Sequence, residues 1–270
     1  MGMLKDITLG QYFPGASVIH CLDPRTKLIM LVVYIIALFA SASWISYGLC
    51  FIFLASCIAA SQIPVKSIVR GMKPLVMILV FTGVLNLLFT GGDHELVSFW
   101  VITITLEGVV RAVLMVFRIL MLISATFLLT YTTSPISLTD GLESLLGPLK
   151  AVRVPVHELS MMMCIALRFI PTLIEETDKI MAAQKARGAD YESGSLMQRV
   201  KALVPILVPL FISAFRRADE LAVAMECRCY QGGGGRTKMK LLRYRRNDLL
   251  AFLVGAVLIT IVVIIARFGM

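Results

Sequence analysis

Ile170-Pro171-Thr172-Leu173-Ile174-Glu175-Glu176-Thr177-Asp178-Lys179-Ile180-Met181-Ala182-Ala183-Gln184-Lys185-Ala186-Arg187-Gly188 and, further on, Ala218-Asp219-Glu220-Leu221-Ala222-Val223-Ala224-Met225-Glu226-Cys227-Arg228-Cys229-Tyr230 are two versions of one pattern. A shift of 41 positions lays Asp178 on Asp219, Ile180 on Leu221, Ala183 on Ala224 and Arg187 on Arg228. In the first copy Ile170, Leu173, Ile174, Thr177, Ile180, Met181 and Gln184 recur at i, i+3, i+4 and i+7. That spacing predicts an amphipathic helix with its carboxylates and lysines on the other faces. Gly188 supplies the stop. The second helix is expected from Gly194-Ser195 to Glu226, with Leu207, Leu210, Phe211, Ala214, Ala218, Leu221, Ala222 and Met225 on its apolar face. Ala214, Ala218 and Ala222 form a small-residue stripe that admits close backbone approach. Two crossing helices, each ending on one arginine, are the expected centre of the molecule.

The surrounding composition places that pair at a membrane. Hydrophobic residues make up 58% of the chain, mean hydropathy is +0.86 and only 16% of residues are charged, which is not the balance of a soluble domain. The fold class expected is an all-α integral membrane protein. Its net charge of +9 gathers in segments that would lie on one side of a bilayer, the positive-inside pattern rather than a nucleic-acid footprint. No nucleic-acid partner is expected. The first 27 residues have no apolar core of signal-peptide length, so no cleaved targeting segment is expected.

Asp23-Pro24 reads as a turn or helix start, and Arg25 and Lys27 keep the preceding chain out of the bilayer. Leu28 to Ser61 is an uncharged run of 34 residues. As one helix it would rise roughly 50 Å, beyond a hydrocarbon core of about 30 Å, so it must fold back. Ser41-Ala42-Ser43-Trp44 is the expected turn, with Trp44 and Tyr47 as interfacial anchors. Lys66, Arg70 and Lys73 read as a second basic loop, Pro74 to Thr90 as the third span and Gly91-Gly92-Asp93-His94-Glu95 as an outer acidic loop. Alternation between Val97 and Thr105 suggests a short extended hairpin arm, or else the frayed start of the next helix.

The fourth span, Leu106 to Tyr131, carries Arg111 and Arg118 on one face. Such charges either snorkel or make structural pairs, with Glu107 as a candidate partner, or line a moving interface with another membrane subunit. From there to Asn247 the chain holds 17 Lys and Arg against 11 Asp and Glu, a composition expected to stay on the cytoplasmic side, in part at the interface. A short helix is expected over Leu138 to Leu149, and a long one from Val156 to Lys185 that passes Pro171. Gln231 to Gly235 reads as a flexible exit, not a phosphate cradle. Arg236 to Arg246 is a stop signal with lipid-headgroup contact, and Leu249 to Ala266 the last span. The expected domains are a membrane region of four spans (1–131), a coupling-helix region (132–247) and a C-terminal transmembrane helix (248–270).

No catalytic constellation is present in the sequence, so no enzyme activity, cofactor or metal is expected of this chain. Cys227 and Cys229 form C-x-C, which leaves open a metal or redox role or small residues at a packed helix end. An arginine at a helix C-terminus complements the helix dipole, and one alone needs no other reading. Two at equivalent positions, flanked by Ala186 and Gly188 or by Cys227 and Cys229, suit two grooves on other proteins, where a guanidinium forks onto carboxylates or carbonyls.

Leu22-Asp23-Pro24-Arg25-Thr26-Lys27-Leu28, Ala183-Gln184-Lys185-Ala186-Arg187-Gly188-Ala189-Asp190 and Ala224-Met225-Glu226-Cys227-Arg228-Cys229-Tyr230 resemble the transmembrane (T) component of energy-coupling factor vitamin transporters, the EcfT/CbiQ-like family. That family shares its fold with the membrane subunits of cobalt and nickel uptake systems. The resemblance runs over nearly the whole chain, and the paired Ala-Arg-Gly motifs are its specific mark. It implies that Ala186, Arg187 and Gly188 engage one ATPase subunit and Cys227, Arg228 and Cys229 a second. It also implies a separate membrane-embedded substrate-binding (S) component, with ATP and Mg held only by the partner ATPases. The second motif departs from Ala-Arg-Gly at both flanks, and cysteine lacks glycine's freedom at positive φ.

The expected function is therefore that of a coupling subunit of an ATP-driven importer of vitamins or related micronutrients, not itself catalytic. The expected architecture is about five transmembrane helices plus cytoplasmic coupling helices, two of them long, crossing at Ala214, Ala218 and Ala222 and arginine-tipped. The expected location is a bacterial or archaeal cell membrane, with the N-terminus cytoplasmic. A stand-alone secondary carrier using Arg111 and Arg118, and a membrane scaffold, are the alternatives. The carrier lacks the paired broken helices of repeated membrane halves.

Overall fold

Asp23 and Pro24 start the first helix as their chemistry requires. The Asp23 carboxylate accepts from the Arg25 N–H at 2.9 Å, and proline takes the first helical position, where no N–H is needed. In the computed structural model, which describes residues 12–41, 43–89, 95–99, 102–189, 195–232 and 241–268, this helix is α1 (Pro24–Ala40). The helix stops at Ala40, where sequence places a break, and α2 (Trp44–Ser61) follows. Residues 1–11, the acidic loop through His94, Gly194 and most of the glycine-basic run before Leu241 lie outside the described residues.

By contacts the chain forms two compact units, one of Gly10–Gly141 with Leu242–Met270 and one containing Leu142–Leu241. The first unit holds α1, α2, α3 (Val65–Met72), α4 (Val76–Phe89), α5 (Leu106–Thr132) and α9 (Arg246–Phe268). Its core is Tyr34, Ala37 and Leu38 of α1, Tyr47, Cys50 and Leu54 of α2, Met121 and Ala125 of α5, and Leu258 and Val262 of α9. Between α4 and α5 lies an antiparallel hairpin, β1 (Glu95–Phe99) with β2 (Ile102–Thr105), in the register Val97 to Ile104 and Phe99 to Ile102. The alternating segment is thus an extended arm, and Thr105 then caps α5 by accepting from the Gly108 N–H.

Several expectations change here. Lys66, Arg70 and Lys73 are not in a loop: the first two lie on α3, and Lys73-Pro74-Leu75 is a 3-10 turn that leads directly into α4. Pro74 sits at the start of that turn, where its missing donor costs nothing. Tyr47 is no interfacial anchor, being 3% exposed, whereas Trp44 is 59% exposed. Arg118 donates to the Tyr47 hydroxyl and to the Ser41 carbonyl, and lies over the Phe39 and Tyr47 rings. Its charge locks the α1–α2 turn to α5, so it serves structure. Arg111 is exposed.

Lys27 is likewise buried rather than held in water. Its ammonium donates to the carbonyls of His20 and Thr132 and to the Thr133 hydroxyl. Beside it the Asp248 carboxylate, 1% exposed, accepts from the backbone N–H of Asp23 at 2.8 Å and of Arg245 at 2.7 Å. One side chain thereby satisfies orphan donors at the starts of both α1 and α9. Sequence reading missed this, because an aspartate two residues past a basic run carries no local mark of a partner 225 residues away.

Among the described residues, five helices are long and apolar enough to cross a membrane: α2, α3 continued through α4, α5, α7 (Val156–Ala186) and α9. This differs from the expected five at two places. At 17 residues α1 rises only about 26 Å, though it packs in the same core as the spans. The first half of α7 is apolar apart from Glu158 and Arg168, and the other five of its seven charged residues fall from Glu175 onward.

Replacing Asp248 by Ala strands the buried N–H of Asp23 and removes the partner of the part-buried Arg245 N–H, and is expected to destabilise the chain by about 1–3 kcal/mol. Asp248→Asn keeps one acceptor oxygen and loses less. Thermal unfolding of the detergent-purified chain, followed by circular dichroism, checks the order native, Asn, Ala.

Candidate functional site

The second unit is built around α7 and α8 (Leu196–Cys227), preceded by α6 (Pro135–Leu145), which contains the boundary between the units, and a 3-10 segment at Gly147–Val152. Inside it, Glu143 of α6 accepts from His157 on the first turn of α7 at 3.0 Å. Ser195 and Gln198 form a reciprocal capping box that starts α8. Pro171 in α7 and Pro205 and Pro209 in α8 are all accommodated within their helices.

The expected apolar stripe of α7 is the half-buried one: Ile170, Leu173, Ile174, Thr177, Ile180, Met181 and Gln184 all fall in that class. Glu176, expected among solvated carboxylates, does not stay with them. Its carboxylate accepts from the Ser213 hydroxyl and from both Nε and Nη2 of Arg217, the latter at 2.9 Å. This forked pair ties α7 to α8. Gln184 donates to the Pro205 carbonyl at 3.4 Å, so contacts that advance along α7 retreat along α8, and the helices run in opposing directions through their contact. On α8, Ile206 is 4% exposed and Leu210, Ser213, Ala214 and Arg217 are half-buried. Ala218 and Ala222 are exposed.

Glu176 and Arg217 are 41 positions apart, the same offset that relates the two repeats. The ion pair therefore joins equivalent positions of the two copies. From it, each tip arginine lies 11 residues further along its own helix, roughly 16 Å away, and opposing directions put the tips at opposite ends of the contact. The repeat in the sequence becomes an approximate two-fold arrangement in space.

The tips themselves are alike in backbone. Helix α7 ends with Arg187 at the C-cap (φ −86°, ψ 4°), followed by Gly188 at φ +88°. The N–H of Gly188 donates to Lys185 O at 3.0 Å and that of Ala189 to Gln184 O at 3.1 Å, the paired bonds of a Schellman motif. Helix α8 ends with Arg228 at the C-cap (φ −92°, ψ 13°), followed by Cys229 at φ +57°. Here Cys229 donates to Glu226 O at 2.8 Å and Tyr230 to Met225 O at 3.0 Å. Cysteine thus takes the left-handed conformation that glycine takes in the first copy, and the helix end is preserved. The Tyr230 hydroxyl contacts the Met161 sulfur at 2.9 Å, which braces this second tip against α7. Ala186, Arg187, Gly188, Cys227, Arg228 and Cys229 are all exposed. Each tip presents one guanidinium between small neighbours.

A membrane bundle whose chain continues into two crossed helices with equivalent cationic tips has the build of a transporter's membrane component, one that works with other subunits. The chain belongs to the CbiQ family, described as cobalt transport protein, whose model matches residues 15–241. A relative from Ruminiclostridium cellulolyticum is 50% identical over 97% of this chain and 98% of its own length. One from Thermosediminibacter oceani is 54% identical over 94% and 96%, and one from Bacillus subtilis (strain 168) 47% identical over 91% and 93%. All three are named energy-coupling factor transporter transmembrane protein EcfT.

Two measurements check this site. A non-glycine residue in the left-handed region costs about 1–2 kcal/mol, so Cys229→Gly is expected to raise the unfolding midpoint, and Cys229→Val, branched at Cβ, to lower it and speed amide exchange at Tyr230. Because the Glu176–Arg217 pair is partly exposed and screened by solvent, a double-mutant cycle with Glu176→Gln and Arg217→Gln is expected to return a small coupling in favour of the pair. A coupling near zero would remove the pair as the tie between the helices.

Proposed function

We propose that the chain couples ATP hydrolysis on partner subunits to the movement of a substrate-binding component in an energy-coupling factor importer. The observation that carries this is the duplication of the arginine tip: two exposed guanidiniums, on matching helix ends, at equal reach from the pair that joins their helices. Arg187, with Ala186 and Gly188, engages one ATPase subunit, and Arg228, with Cys227 and Cys229, engages the other. ATP and Mg belong to those partners. Any change in the separation of the two ATPase grooves acts at both ends of the crossing and turns α7 against α8 near Glu176, Arg217 and Ala214.

The S component finds an apolar surface on α8. Val204, Val208, Phe211 and Phe215 are each half or more exposed and recur at i, i+4, i+7 and i+11. Ala218 and Ala222 continue the same stripe, where their small side chains let a partner helix approach closely. The small stripe thus serves crossing with another chain as well as the contact at Ala214. The cargo is a vitamin or related micronutrient chosen by that component, and the membrane is a bacterial or archaeal cell membrane with the N-terminus cytoplasmic.

Co-purification with the ATPase subunits tests the reading. Arg187→Glu and Arg228→Glu each reverse a guanidinium in a desolvated groove, at about 2–5 kcal/mol, and the double change is expected to leave no ATPase on the column. Retention of both ATPases by the double variant would reduce the tips to helix caps. Transport by the chain alone would then be the next assay.

A further inference from the structure

Helix α3 is amphipathic in three sectors. Ile68, 3% exposed, and Met72 pack with Ile63, Leu128 and Tyr131. At Gly71 an added Cβ would stand 3.0 Å from the Tyr131 hydroxyl oxygen and 3.1 Å from the Phe127 ring, so only glycine lets the helix sit this close to α5. The Tyr131 hydroxyl also donates to the Ser67 carbonyl. Rotation of α3 about its axis is thereby fixed. A second sector, Val65 and Val69 continued by Val76, is apolar yet 60%, 56% and 50% exposed. The third carries Lys66 and Arg70, extended by Lys73, all exposed and spaced i, i+4, i+7 so that they share one face.

These cations have no acid nearby in the chain, which contains no Asp or Glu between Asp23 and Asp93. Among the described residues, the ion pairs are Arg25–Asp23, His157–Glu143 and Arg217–Glu176, none of which uses the stripe. The helix runs through the Pro74 turn into α4, whose Met77, Ile78, Phe81 and Phe89 are exposed as a lipid-facing span requires. It therefore lies at the polar end of a membrane helix, with an apolar strip and a cationic strip side by side.

We propose that α3 is the headgroup-level end of this spanning helix, Val65 and Val69 at the acyl boundary and Lys66, Arg70 and Lys73 bound to the phosphodiester headgroups of anionic phospholipid. An amphipathic segment at this level binds through buried apolar area together with attraction to anionic lipid. Because Gly71 and Tyr131 fix its rotation, the stripe is presented at a set angle and needs no ordering when lipid binds. The site is independent of the arginine tips and stands whatever they engage.

The full-length chain, extracted from vesicles of equal phosphatidylglycerol and phosphatidylcholine, is compared by native mass spectrometry with the variant Lys66→Gln, Arg70→Gln, Lys73→Gln. The native chain is expected to retain phosphatidylglycerol preferentially. Each basic residue near an anionic surface strengthens binding roughly fivefold, so the triple variant should lose about a hundredfold in affinity for that lipid. The single change Arg70→Gln should fall between, and Lys66→Arg with Lys73→Arg should keep the preference. Native retention of phosphatidylglycerol by the triple variant would overturn the proposal. So would unchanged lipid retention with loss of co-purifying ATPase, which would give the stripe to a protein partner.

Discussion

Polar groups buried among packed helices have no water to turn to, and the first unit of this chain is arranged by that constraint. Asp248 is its clearest expression. A carboxylate buried to 1% exposure is tolerable because both oxygens are occupied, one by the N–H that precedes α1 and the other by the N–H that precedes α9. Lys27 meets the same demand with three acceptors drawn from the α1 entry and the end of α5. Arg118 meets it in part, its Nη2 donating to the Ser41 carbonyl and the Tyr47 hydroxyl and its plane lying over two aromatic faces, while its buried Nε has no partner among the described residues. Each charge fixes helices that are far apart in sequence, so the residues most costly to place in a membrane are the ones that specify how its helices meet.

The second unit answers a different demand. Two long helices must hold each other while leaving their ends free. A purely apolar seam would achieve the first without fixing register, whereas the fork from Arg217 to Glu176, together with Ser213, sets where along their lengths the helices meet. Since the pair joins equivalent positions of the repeat, it also sets equal lever arms. The tips follow from backbone chemistry: a C-cap arginine, then a left-handed residue, then an N–H folded back onto the last turn. Cys229 shows that this geometry is imposed by the capping bonds and not by glycine alone, at the modest cost that a Cβ incurs there.

The two units divide the work by exposure. Buried polar clusters hold the membrane helices, and no such cluster is needed at the tips, where the guanidiniums stay in solvent between small neighbours. An apolar stripe on α8 and a cationic one on α3 remain uncovered in the chain by itself.

The membrane class, the break between α1 and α2, the two amphipathic helices and the equivalence of Arg187 with Arg228 were legible in the sequence, whereas the hairpin arm was one of two readings it left open. All of these rest on local periodicity, charge or a repeat offset, which need no knowledge of distant partners. Tertiary packing settled what Lys27, Tyr47, Arg118, Glu176 and Asp248 do, because each role depends on a group 41 to 225 residues away. A charge in a sequence looks the same whether it faces water or a buried acceptor. It likewise decided that Lys66 and Arg70 stand on a helix, and that Ala218 and Ala222 face outward, since which side of a helix is covered depends on what packs against it.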